Sequence, residues 1–156
     1  AALLAQMPTA YPRVPVAGDL TGEDWANRLV AAGFSPWKQA YFALLGLTQY
    51  LDAVTFDRLA RYVSLLAAPG STLVLDWDRP APQIRALAAA AGTPMKQTVE
   101  LHQVIESLRR HDFLIYEQME SQEIECAFLR RYNQIYPEKP LRLFGVLVLM
   151  LAVRRE

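Results

Sequence analysis

Apolar positions along this chain recur in two alternating registers. Four stretches are nearly continuous: Tyr41–Leu45, residues 71–77 (STLVLDW), residues 113–120 (FLIYEQME) and residues 143–153 (LFGVLVLMLAV). Their length and their bounding glycines and prolines predict buried strands. Between them, apolar residues fall at three- and four-residue steps. Trp25, Leu29 and Ala32 mark one helix, with Thr21 as its N-cap, Glu23 and Asp24 in the first turn and Gly33 closing it. Phe56, Leu59, Val63 and Leu66 mark a second, capped by Asp52 and stopped by Pro69-Gly70. Residues 83–91, 98–112 and 121–136 continue the helical pattern, and DRPAP (78–82) reads as a loop. Residues 11–17 (YPRVPVA) read as a short edge strand, because Pro12 and Pro15 forbid a full ladder.

Strands alternating with helices of this length predict an α/β fold with a mostly parallel sheet. Ligands of such sheets collect at the carboxyl ends of strands. Three segments stand there: Gly18-Asp19-Leu20, Leu45-Gly46-Leu47 and Asp76-Trp77-Asp78. A length of 156 residues suits a single domain over 1–156.

Charge narrows the chemistry. Sixteen basic residues balance sixteen acidic ones, so no global field favours nucleic acid or an anionic membrane. The apolar stretch at 143–153 is too short for a membrane helix. The lone Cys126 fits a reducing, cytoplasmic setting and a half-buried helix thiol. His102 and His111 lack metal-ligand spacing, so no metal is expected; either could act as a general base, though each has a plain helical reading. Glu117, Glu120, Glu123 and Glu125 read as the solvated start of a helix rather than paired catalytic carboxylates. There is no GxGxxG, Walker loop or GxSxG elbow.

The order VPVAGDL, then AAGF, then FALLGLTQYLD, then LLAAPGSTLVLDW, running from Val14 to Trp77, resembles the leucine carboxyl methyltransferase family, whose bacterial branch includes polyketide O-methyltransferases. The resemblance implies a Rossmann-like class I methyltransferase sheet with an antiparallel last strand, and S-adenosylmethionine as cofactor. It places Asp19 on the adenine amino group and Leu20 on the ring, and Leu45, Gly46 and Leu47 along the methionine end. Tyr50 would face the acceptor, a small molecule or a peptide carboxylate. A carboxylate acceptor needs no base; for a hydroxyl acceptor, Asp76 or His111 is a candidate.

The sequence departs from the family in two ways. The family's glutamate before the glycine is Leu45 here, and the family's first two strands, which carry its glycine-rich cofactor loop, have no counterpart. The chain therefore reads as the C-terminal portion of such a domain, with Tyr41–Leu45 left as a sheet edge. An apolar edge pairs readily, so this strand is expected to join another chain as a homo-oligomer, or the chain's own rearranged N-terminal segment. Two other readings stand beside a truncated O-methyltransferase: a cofactor-free binding or assembly module derived from that fold, and an unrelated α/β domain.

Overall fold

A computed structural model of the chain describes residues 13–96, 98–143 and 145–156. Four strands form one sheet: β1 (Tyr41–Leu44), β2 (Thr72–Pro80), β3 (Phe113–Glu120) and β4 (Gly145–Arg154), in the order β1-β2-β4-β3. β1 and β2 are parallel, while β4 lies antiparallel between β2 and β3. Three strands thus share one direction and the last in sequence opposes them, as the resemblance implied.

The helices are α1 (Asp24–Ala31), α2 (Ala53–Leu66), α3 (Pro82–Ala90), α4 (Leu101–Arg110) and α5, helical over 121–135 with a π turn at Glu125–Leu129. Asp52 caps α2 through its side chain, accepting from Thr55 N at 2.8 Å. Phe56, Leu59 and Val63 of α2 then meet Val104 and Leu108 of α4 over one face of the sheet. That face carries Leu73, Leu75 and Trp77 of β2 with Val148, Met150 and Ala152 of β4. Period-two alternation sends Val74, Asp76 and Asp78 to the other face, beside the half-buried Leu147, Leu149 and Leu151. A buried hydrogen bond from Trp77 Nε1 to Val99 O, 2.9 Å, ties β2 to the approach to α4.

Four expectations change. Described residues 13–17 are irregular rather than strand, with no neighbouring strand to pair them and Pro15 unable to donate; Tyr11 and Pro12 lie outside the described residues. Thr21 does not cap α1: its N–H and Oγ1 both bond Asp19 Oδ1, at 2.9 and 2.7 Å, and Glu23 takes the cap position without a side-chain bond. β2 runs on through Asp78–Pro80, which read as loop, because β4 pairs it as far as Pro80 opposite Gly145. Finally, β1 is less buried than an apolar run suggests: Tyr41 is 66% exposed and Leu45 beyond it 59%. It pairs with β2 alone among the described residues, so it stands at the edge, as expected; pairing with residues 1–12 lies outside what is described.

Candidate functional site

The carboxyl ends of β1 and β2 meet at the turn after Leu44. Gly46 adopts φ +67°, a left-handed conformation that glycine takes without strain. Its N–H points to Asp76, with 2.8 and 2.9 Å to the two carboxylate oxygens. Asp78 lies two residues on, on the same face, and the Gln49 amide nitrogen, turned toward it, donates at 2.5 and 3.1 Å. Asp76, Asp78 and Gln49 line a cavity of about 300 Å³ walled by Pro80, Ile84, Met95 and Leu147.

Burial dominates the electrostatics of this cavity. It pushes the Asp76 carboxyl above its ordinary value against the opposing hydrogen bond from Gly46. Asp78 rises to about 6, first through burial and then through the charge of Asp76. Among the described residues, no lysine, arginine or histidine lines the cavity to offset the pair.

A second, apolar cavity of about 220 Å³ lies between the segment before α1, α1 itself and β1. Val16, Leu20, Phe42 and Leu44 form its walls, with Trp25 among them. The Trp25 Nε1–H is buried without an acceptor among the described residues. Asp19 sits beside this cavity in sequence but does not line it; its exposed carboxyl is held below the ordinary value by the Thr21 hydroxyl, then by the Thr21 N–H. Both bonds use Oδ1, which leaves Oδ2 open.

The expected site residues therefore divide. Leu20 reaches the apolar cavity, and Gly46 and Asp76 meet directly. Leu45 is exposed and Leu47 packs half-buried against the core, so neither lines a cavity at this turn. Tyr50 ends a short 3-10 turn, Thr48–Tyr50, and also lines neither cavity. His111 lies at the opposite end of the sheet, immediately before β3, with Nε2 3.2 Å from Asp57. There Asp57 also accepts from Ser107 and Arg110, so the cluster joins α2 to α4 rather than facing the cavities. Glu120 and Glu123 form a capping box at the start of α5, as the solvated reading of these glutamates holds. Asp78 and Gln49 escaped selection as individual site residues. The signal for Asp78 was its spacing of two from Asp76, but it required β2 to continue past Trp77.

S-adenosylmethionine can be tested against this geometry. An adenine ring suits the apolar walls, and its amino group suits the ionised Asp19 carboxylate, which stands next to the lining residue Leu20 in sequence. For the ribose hydroxyls and the methionine carboxylate, the described residues offer no glycine-rich loop, and the Gly46 N–H is already occupied by Asp76. The fit is to the adenine end.

Residues 1–64 match the leucine carboxyl methyltransferase family. A "Putative S-adenosyl-L-methionine-dependent methyltransferase" of Mycolicibacterium smegmatis is 34% identical over 100 residues, 61% of this chain and 31% of that protein. One of the same name from Mycobacterium marinum is 45% identical over 73 residues, 47% of this chain and 22% of that protein. The chain thus spans about a third or less of the curated relatives it matches. In structure, geranyl diphosphate C-methyltransferase from Streptomyces coelicolor superimposes with a TM-score of 0.52 at 12% identity, covering 88% of this chain and 52% of that one. The chain is similar in sequence to the leucine carboxyl methyltransferases over residues 1–64, and its fold is that of part of a class I methyltransferase.

Proposed function

We propose that this chain is the C-terminal part of an S-adenosylmethionine-dependent O-methyltransferase acting on a carboxyl or hydroxyl acceptor. The observation that carries the reading is that residues 1–64, the stretch matching the family, include both Asp19-Leu20 and the Gly46 turn, one beside each cavity. When bound, the cofactor supplies an electrophilic methyl group to an acceptor oxygen. The residues of this chain then bind and orient. Leu20 and its apolar neighbours exclude water from the adenine end, and Asp19 accepts from the amino group. Asp76 fixes the Gly46 turn, and Asp78 can receive the proton of a hydroxyl acceptor. Holding the acceptor close to the methyl supplies most of the rate in this chemistry.

Thermal melting tests the adenine end directly. Adenosine and S-adenosylhomocysteine should each raise the midpoint in a concentration-dependent way, while methionine leaves it unchanged. A shift produced by methionine, or by none of the three, would remove the reading.

A second reading is supported by the edge of the sheet. Among the described residues β1 pairs on one side only and is flanked by the exposed Tyr41 and Leu45, which suits a cofactor-free module that assembles into a homo-oligomer by pairing strands. Loss of ligand response together with self-association would favour it.

A further inference from the structure

We propose that the cavity at the carboxyl end of β2 recognises an acceptor through a protonated amine held by Asp76 and Asp78, and rejects a free carboxylate. The inference rests on the methyltransferase reading, because it takes this cavity as the acceptor side, and it narrows the reacting oxygen to a hydroxyl.

Three features of the cavity support it. First, its charge is one-sided: two carboxylates face the same space from alternate positions of one strand, and none of the lining residues is basic. Second, the partners they do have are neutral. Asp76 accepts from the Gly46 N–H and Asp78 from the Gln49 amide, which satisfy lone pairs without balancing charge. Third, the half-buried pair is flanked by Pro80, Ile84, Met95 and Leu147, so solvent screens it less than on an open surface and an apolar ligand body has a surface to cover. A ligand cation joined to an apolar body answers all three. A ligand carboxylate would bring a third negative charge into the same half-buried space.

Calorimetric titration of the chain with three ligands on one naphthalene body tests the proposal near neutral pH: 2-naphthylmethylamine, 2-naphthalenemethanol and 2-naphthoate. The amine should bind about tenfold tighter than the alcohol, and the carboxylate about tenfold weaker or below detection. Asp78→Asn should reduce the amine-to-alcohol ratio by about fivefold, with the alcohol affinity nearly unchanged. Asp76→Asn, which keeps an acceptor for Gly46, should do the same and serves if the first variant misfolds. A flat order, a carboxylate that binds tightest, a ratio untouched in both variants, or no binding of any of the three would each overturn the proposal. S-adenosylhomocysteine binding is read separately. Charge ordering without it would sink the methyltransferase reading and leave the cavity standing; the reverse would sink this inference alone.

Discussion

Asp78 shows how a single residue links the sheet to its chemistry. Its carboxyl rises to about 6 from an unfolded value of 3.8, through burial and the neighbouring Asp76 charge. A carboxylate raised on folding binds its proton more readily in the native state. Stability therefore falls as pH rises from about 4 to about 6, and the penalty is fully present above that window. Asp78→Asn should raise stability by about 1 kcal/mol at pH 8, after allowance for the solvent reaching this group, and give no gain below pH 4. Urea melts at the two pH values check both the size and the sign. Asp52 works in the opposite sense. Its cap bond to Thr55 holds its carboxyl below the ordinary value, and Asp52→Ala should lower the melting temperature at neutral pH. That cap was legible in the sequence, because a cap needs only its own helix. The rise at Asp78 was not, because it depends on β4 closing over the strand end from seventy residues away in sequence.

Among the elements, the helices differ sharply in what they hold. α2 buries Phe56, Leu59 and Val63 against the sheet, so Phe56→Ala should destabilise the fold by about 3–5 kcal/mol in denaturant titration. α3 buries no residue, and Leu87→Ala there should change stability by no more than about 0.5 kcal/mol. The three-and-four spacing foretold both helices but not this contrast. QIRALAAAA is rich in helix formers, so its own propensity supports the helix with little tertiary burial. Strands were harder to bound for the opposite reason. Residues 13–17 have the composition of an edge strand, yet a strand exists only where a partner supplies hydrogen bonds. Asp78–Pro80 look like loop and are strand because β4 supplies them.

At the scale of the whole molecule, the sheet is covered unevenly. α2 and α4 close one face, while Val74, Leu149, Leu151 and Val153 on the other stay half-buried and β1 stands at the sheet edge among the described residues. If that edge directs assembly, the double variant Tyr41→Lys, Leu45→Lys should shift sedimentation to the monomer, since charge on an edge opposes pairing. An unchanged oligomer would place the contact elsewhere. The antiparallel last strand was readable from the motif resemblance. The pairing state of β1 was not, because an edge is defined by what lies beside it. The same holds for the cofactor: on the reading proposed above its adenine end would lie beside Leu20, and no glycine-rich loop for its other end is found among the described residues.

Calorimetric titration of this polypeptide with S-adenosylhomocysteine, beside Asp19→Ala, tests the adenine-end assignment most directly. The account predicts saturable binding that weakens about fivefold in the variant while the melting temperature barely moves, since the Asp19 carboxylate is exposed and, among the described residues, bonds only Thr21. No heat up to millimolar ligand, or equal binding by both proteins, would contradict it.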